Sequence, residues 1–369
     1  MIVHLVPHFG LGGDLVIVKA MVKAQLADGE DVRVNGMAVD QAFGEGREMN
    51  PFPLNEGKAG FSKAWANRES LPKDIEVLHA HSPICLLFAL LIRRVRCRKA
   101  AVIFTFHWPV PDGGWRRALK AKLFQAADVV HAYSVEIRDI AAERYGIPDE
   151  RLELLHVGVP PERFTNQDPA VARESLRQRL GLAEDTNVLG YLGRLADEKN
   201  AAYLIRFLES QNERFPDLHL VVAGTGDLEQ GLREQAAASA AAERIHFLGY
   251  TREPEAVYPA FDLLVLPSDF EAFALVVVEA AYCGVPTLRS DVEGSRDQIT
   301  EGETGYTYPQ AQGYDAMEEA LIRILDDKWS QLPEVGRKAR AHCLELCDMA
   351  RYTAGLESMY GQARRLADS

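Results

Sequence analysis

Long apolar runs are missing from this chain of 369 residues: the longest, Ile84 to Ile92, has nine, where a membrane-spanning helix needs roughly 20. No segment reads as a membrane crossing. Cysteine is scarce. The five, Cys85, Cys97, Cys283, Cys343 and Cys347, are odd in number and form no CxxC pair, which suits a reducing cytoplasm better than a disulfide framework. Cys343 and Cys347 share a helix face with His342 beside them, but three potential ligands without a fourth point to helix packing over metal. No D-x-D occurs, so no carboxylate pair for a divalent metal is evident. No G-x-G-x-x-G occurs either, because Leu15 stands at the third glycine position. The chain opens on "MIVHLVP" without a basic n-region or cleavage site, and no secretory signal is expected. Internal repeats and low-complexity tracts are also absent, which excludes solenoids and disordered tails.

What is present is a globular composition, 47% apolar and 26% charged, at a length that favours two domains. The net charge of −13 argues against nucleic acid as a partner. That charge is uneven. Between Arg93 and Lys122 lie nine Lys or Arg against one acid, Asp112. Trp108 and Trp115 stand between the two basic clusters, and aromatic rings beside cations favour a bilayer interface. The helical "WRRALKAKLFQ" that follows would set Leu119, Leu123 and Phe124 into the headgroup boundary. A solvated helix face is the other reading.

"MIVHLVP", a Gly-rich loop, a helical "LVIVKAMVKAQLAD" and "DVRVNGM" form a βαβ unit. Further strands are expected at Glu76–Ser82, Ala101–His107, Val129–Ser134 and Leu152–Gly158. The stretch "VPPERFTNQDPAVARES" holds three prolines and reads as a linker. The pattern then restarts with "NVLGYLG", "HLVVAGTG", "IHFLGY", "DLLVLPS" and "VPTLRSD". Alternating β and α implies parallel sheets covered on both faces, so the fold class is α/β with two successive domains, 1–165 and 184–347. Ligands in such sheets sit beyond the carboxyl ends of the strands.

Gly10, Gly12 and Gly13 follow the first strand, ahead of a helix whose amides would face a phosphate; a tight structural turn is the alternative. "GRLADEKN" follows the first strand of the second domain, with Arg194 and Lys199 five apart and Asn200 placed to cap the next helix. Two cations beside a helix N-terminus make an anion site fitted to a diphosphate. In "DFEAFALVVVEAAYCGVP" the single charge between Ala272 and Val285 is Glu279, and a carboxylate in such company is costly unless paired. An internal partner such as Arg194 or Arg289 is one answer.

A second answer comes from a resemblance. In order, "GRLADEKN", "LVVAGTGDLEQGL", "IHFLGY", "DLLVLPSDFEAFALVVVEAAYCGVPTL" and "EGETGYTYP" resemble the retaining GT-B glycosyltransferases of family 4 (glycosyl transferases group 1). The signature is E-x7-E followed by a small-residue turn, here Glu271, Glu279, Cys283, Gly284 and Pro286. The first domain is similar more loosely, through Gly12–Gly13, "TFH" ending at His107, and "HVGVPPERF". The resemblance implies two Rossmann-like domains facing across a cleft that closes for catalysis, with a C-terminal helix, 348–369, crossing back to the first. It implies that Glu279 receives the ribose hydroxyls of a sugar nucleotide and Glu271 faces the donor sugar. Arg194 and Lys199 would hold the diphosphate without metal, and Gly12, Gly13, Gly224, Gly226, Tyr250, Phe273, Ala274 and Leu275 would line the nucleotide. His107 would orient the donor sugar, in a front-face mechanism that retains anomeric configuration. His8, His79, His81 and His131 are weaker candidates, with His8 placed to meet the acceptor. The resemblance implies a nucleoside diphosphate sugar as donor, UDP-sugar favoured over GDP-sugar, with no resident cofactor. The expected acceptor is a saccharide or lipid-linked hydroxyl of the cell envelope, as in polysaccharide or lipopolysaccharide synthesis, and the enzyme is expected to be cytoplasmic, at most peripheral on the inner membrane face.

Two departures bear on the site. The family commonly has E-G-F-G where Glu271, Ala272, Phe273 and Ala274 stand, and a methyl at a positive-φ glycine costs roughly 1 kcal/mol or more. Glu293 likewise replaces a glycine, and Arg289 beside it is either a reader of an unusual sugar substituent or a surface charge. A nicotinamide-dependent oxidoreductase remains an alternative, although "DVRVNGM" lacks the terminal acid it needs. A silent sugar-nucleotide binder and an epimerase of the same fold are others.

Overall fold

The computed structural model describes residues 1–7, 13–36, 61–107, 113–166 and 168–368. The chain forms two compact units, Met1–Val159 joined by Met349–Ser369, and Pro160–Asp348.

The first unit carries a six-stranded sheet of β1 (Ile2–Val6), β2 (Val32–Gly36), β3 (Val77–Ala80), β4 (Ala101–Phe106), β5 (Val129–Ala132) and β6 (Leu152–Leu154), in the order β2-β1-β3-β4-β5-β6. All pairings are parallel. Its strands are short apolar runs buried on both sides, the pattern that parallel sheets demand. On one face Val3, Leu5, Leu78, Val102 and Phe104 meet Leu86, Phe88 and Ile92 of the helix Pro83–Val95. On the other, Ile2, Val6, Val77, Ile103 and Val129 meet Met21 and Val22 of the helix Gly13–Ala27, and Tyr352, Leu356, Met359, Tyr360 and Ala363 of the last helix, Met349–Asp368. Those five residues recur at the three- and four-residue spacing of one helical stripe. The order reverses between β1 and β3, which makes their carboxyl ends the switch point of this sheet.

The second unit has β7 (Asn187–Leu192), β8 (Leu218–Ala223), β9 (Ile245–Gly249), β10 (Leu263–Leu266), β11 (Thr287–Ser290) and β12 (Tyr306–Tyr308), in the parallel order β12-β11-β10-β7-β8-β9. Its switch point lies between β7 and β10.

Two expectations change. The C-terminal part of the supposed linker is the helix Pro169–Arg179, with Pro169 in its first turn and Asp168 accepting from the Ala170 amide. Proline breaks a helix interior but suits a helix start. Arg173 and Arg177 of this helix reach the two oxygens of Asp262 at 2.6 and 2.9 Å, so the segment is anchored inside the second unit. The strand expected over Leu152–Gly158 stops at Leu154, whereas β12 lay unread within "EGETGYTYP".

Candidate active site

In the second unit the polar groups gather at the switch point. The loop after β7 ends in a short 3-10 turn, Asp197–Lys199, closed by Asn200 at φ 50°, the only non-glycine with positive φ among the described residues. Asn200 tolerates this left-handed conformation better than most residues do. Its side chain does not cap the following helix, as the sequence suggested. Instead Nδ2 donates to the Pro267 carbonyl at 3.0 Å and to Asp269 Oδ1 at 2.8 Å, while the Asp269 amide donates to the Glu198 carbonyl at 2.8 Å. These bonds stitch the loop after β7 to the loop after β10. The stitching brings Lys199 Nζ to Glu271 Oε1 at 2.5 Å, with Ser268 Oγ donating to the same oxygen at 2.7 Å. Arg194 is more open and pairs with Glu198.

The glycines after β8 are fixed by backbone packing. A Cβ at Gly224, where φ is +135°, would stand 1.9 Å from the Gly193 carbonyl oxygen, and one at Gly226 would stand 2.2 Å from that of Leu195. The Leu195 amide donates to the Thr225 carbonyl across this contact at 2.9 Å. Only residues without side chains let the two loops meet. Tyr250, after β9, is exposed.

The Glu271–Ala274 loop carries no strain from its alanines. Ala272 has no positive φ, and Ala274 is extended at φ −71° as it enters the helix Leu275–Tyr282. Phe273 and Ala274 are buried and Leu275 is half-buried, so what this loop offers an anion is its backbone at a helix N-terminus. The left-handed glycine of the region is Gly294, whose missing side chain leaves room for the Ala272 carbonyl and Phe273.

Neither suggested arginine pairs with Glu279. The Tyr258 hydroxyl donates to its Oε2 at 2.7 Å. Loss of hydration pushes the Glu279 carboxyl up to about 7, against the Tyr258 hydrogen bond and the nearby charge of Arg163. An acid poised there is ionised or neutral according to what occupies the site. Tyr258 stands alone in a turn before β10, with no periodicity to mark it. Arg289 is fully buried and not a surface charge: its guanidinium donates to Gln298 Oε1 at 2.5 Å and to the Glu293 carbonyl at 2.9 Å. It holds the turn after β11.

The first unit presents a different surface. Its strands place a polar layer at inward positions, His4 on β1, His79 on β3, Thr105 on β4 and His131 on β5, with His81 and His107 just beyond β3 and β4. His131 Nε2 donates to the Leu155 carbonyl at 3.0 Å, and a carbonyl only accepts. The remaining protons follow. Thr105 donates to His131 Nδ1 at 3.0 Å, His79 Nε2 donates to Thr105 at 2.6 Å, and the Tyr360 hydroxyl donates to His79 Nδ1 at 2.5 Å. Burial lowers His4 and His131 to about 4, and His79 and His81 well below the ordinary imidazole range. All four rings are neutral at pH 7.

Ring nitrogens of His4, His79 and His81 come within 4.8 Å of one another, the spread of a cation site. Each of their six nitrogens is already hydrogen-bonded, so the cluster is satisfied without an ion. His4 was absent from the sequence candidates, although the alternation Ile2, His4, Val6 matches Val77, His79, His81 and marks all three as inward. His8, Gly12 and Trp108 lie outside the described residues, and Gly13 opens its helix. His342 Nε2 bonds the Asp297 carbonyl, and Cys343 and Cys347 are buried beside it.

The basic segment is only partly free. Arg93 pairs with Asp128 at 2.7 Å, Arg96 donates to the Leu71 and Glu69 carbonyls, and Phe124 lies wholly in the core. Phe124 is therefore unavailable to a headgroup boundary, and Leu123 packs on the core too. Trp115 and Leu119 remain exposed, at 73% and 62%.

The family described as Glycosyl transferases group 1 matches residues 172–342, and Glycosyltransferase Family 4 matches residues 11–163. A D-inositol 3-phosphate glycosyltransferase of Corynebacterium glutamicum is 27% identical, over 90% of this chain and 82% of its own. A GDP-mannose-dependent alpha-(1-6)-phosphatidylinositol monomannoside mannosyltransferase of Mycolicibacterium smegmatis is 31% identical, over 69% of this chain and 68% of its own. Other relatives are matched over about half of their length. Among solved structures, Anabaena Alr3699/HepE in complex with UDP superposes with a TM-score of 0.82 at 18% identity, covering 97% of this chain and 99% of that one. The chain thus has the GT-B fold and belongs to glycosyltransferase family 4, the glycosyl transferases group 1.

Proposed function

We propose that the protein transfers a hexose from a nucleoside diphosphate sugar to a hydroxyl acceptor with retention of anomeric configuration and without a metal. The observation that carries this reading is the Lys199–Glu271 pair at the switch point of the second sheet. The ammonium is held where a diphosphate meets the N-terminus of the helix Leu275–Tyr282, and it neutralises charge on the leaving phosphates as a cation must when no metal does so. On donor binding the pair opens, Lys199 turning to phosphate and Glu271 to sugar hydroxyls. Glu279, released from Tyr258 or sharing its proton, accepts from the ribose diol. His107 orients the donor sugar.

UDP is favoured as the carrier, in line with the UDP complex of the Anabaena protein. The acceptor is a saccharide or glycolipid of the cell envelope, as the mannosyltransferase relative suggests by its name. Among the described residues no helix is long and apolar enough to cross a membrane. Contact with an anionic membrane face is proposed instead through Trp115 and Leu119, flanked by Arg116, Arg117, Lys120 and Lys122, each cation contributing about 1 kcal/mol before screening. Five buried free thiols suit a cytoplasmic location.

Incubation with a panel of donor sugars in EDTA, with and without envelope lipid extract, followed by detection of released nucleoside diphosphate, tests the activity. Failure to bind either UDP or GDP in EDTA overturns it. The anomeric proton coupling of the product tests retention. Pelleting with anionic vesicles that high salt abolishes supports the membrane contact, and recovery in the supernatant under every condition rejects it.

A further inference from the structure

A second hydrogen-bonded chain crosses the switch point of the first sheet. Gln25 Oε1, from the helix Gly13–Ala27, lies 2.8 Å from His4 Nε2; His4 Nδ1 lies 2.9 Å from His81 Nε2; His81 Nδ1 lies 3.0 Å from His107 Nε2. The amide oxygen has no proton to give, so His4 carries its proton on Nε2. A neutral ring then presents a lone pair at Nδ1, and His81 must donate to it from Nε2. By the same step His81 Nδ1 accepts, and His107 donates from Nε2. Each ring fixes the next.

We propose that Gln25, His4 and His81 are positioning residues that hold His107 in a single tautomer, proton on Nε2 and lone pair on Nδ1. The rings are buried, and His81 stacks on His79 with centroids 4.4 Å apart and meets His107 at a tilt of 48°, 5.3 Å away, so packing opposes ring rotation and the direction of the chain persists. Burial also keeps His4 and His81 neutral, which the one-way order requires. An imidazole held this way offers a hydrogen-bond acceptor to a sugar hydroxyl, and the nitrogen that offers it is set by an amide three side chains away. The consequence for catalysis rests on the reading that His107 orients the donor sugar. The tautomer itself does not.

The test uses full-length protein labelled with 15N-histidine, and long-range 15N–1H correlation spectra to read which nitrogen of each ring is protonated. His4, His81 and His107 are expected to carry the proton on Nε2. Gln25→Met keeps the length of the side chain and removes the acceptor; it should redistribute the tautomers of all three rings and lower kcat of the order of tenfold, with UDP affinity within about twofold of the parent. Gln25→Glu restores an acceptor-only oxygen and should recover the Nε2 tautomer at His107 and most of kcat. A proton on Nδ1 of His107 in the parent protein, or a His107 tautomer indifferent to Gln25→Met, overturns the proposal, and the parent spectrum alone decides if a variant fails to fold. A His107 tautomer that shifts in Gln25→Met while kcat stays put leaves the relay standing and removes His107 from the transfer step. Loss of UDP binding with the tautomers as expected would count against the donor site, not the relay.

Discussion

The two sheets solve the same problem at their switch points with opposite chemistry. Between β1 and β3 the polar groups are imidazoles and hydroxyls, neutral and buried, each proton assigned by a neighbour. Between β7 and β10 they are charges on loops, Lys199 against Glu271 and Arg194 against Glu198, with Glu279 poised near neutrality behind them. A closed network of neutral donors and acceptors fixes orientation and resists protonation. Paired charges on loops can trade partners when an anion arrives. Parallel folds thus carry one switch point that is fixed and one that can rearrange.

The largest effect expected from breaking this contrast is at Lys199. Lys199→Ala should lower kcat by about 10² to 10³, as loss of a transition-state donor does. A rise in KM with kcat unchanged, in initial-rate measurements, would show the cation to be merely a binding group.

Acid should separate the units next. His4 and His131 are held near 4 when folded and return to 6.5 when unfolded, so between these values the unfolded chain binds more protons. Their contribution is complete above pH 6.5 and is lost as pH falls toward 4, up to about 3 kcal/mol for each ring. In the second unit His219 runs the same way, but Glu279, raised to about 7 from 4.5, runs the other: its contribution is complete below 4.5 and lost as pH rises through 7. Hydrogen exchange, corrected for intrinsic rates, should quicken in β1 and β5 as pH drops from 6.5 to 4, more than in β7 and β10. Equal quickening in both sheets would erase the distinction.

Much of the second unit was readable because its motifs follow the strands: Arg194 and Lys199 stand five apart in the loop after β7, and the resemblance to family 4 marked Glu271 and, on the helix Leu275–Tyr282, Glu279. The partner of Glu279 was not readable. Tyr258 lies 21 residues upstream, in a turn whose only marks are apolar. In the first unit the strands were legible but the histidine layer was not, because its order depends on register between strands, which pairs His4 with His79 and Thr105 with His131. Arg289 misled for a related reason: a strand-end arginine looks solvated until the turn beyond it folds back to supply carbonyls.

A smaller effect concerns Glu279 and its proton. Nucleoside diphosphate affinity should weaken below about pH 7, approaching tenfold per pH unit, because the ribose diol needs the ionised carboxylate. Titration calorimetry between pH 5 and 8 reads this, and Glu279→Gln should flatten the profile. The smallest effect expected is at Ala274. Its φ of −71° suits alanine, so Ala274→Gly, the residue usual in the family, should cost about 0.5–1 kcal/mol of stability in denaturant titration. A gain in stability would mean that the loop is strained after all.

The last helix carries a consequence for synthesis on the ribosome. Tyr360 bonds His79, 281 positions earlier in the chain, and Met349–Asp368 covers one face of the first sheet. The unit begun first is therefore finished last. All of Pro160–Asp348 has been made before the stripe that seals β3, β4 and β5 on that face exists, so the usual order in which an N-terminal domain completes itself first is inverted. During that interval Val77, Ile103 and Val129 lack part of their cover, and the nascent chain should hold chaperones there. Stalled chains ending at Asp348 should be protease-resistant over 160–348 and sensitive over 1–159.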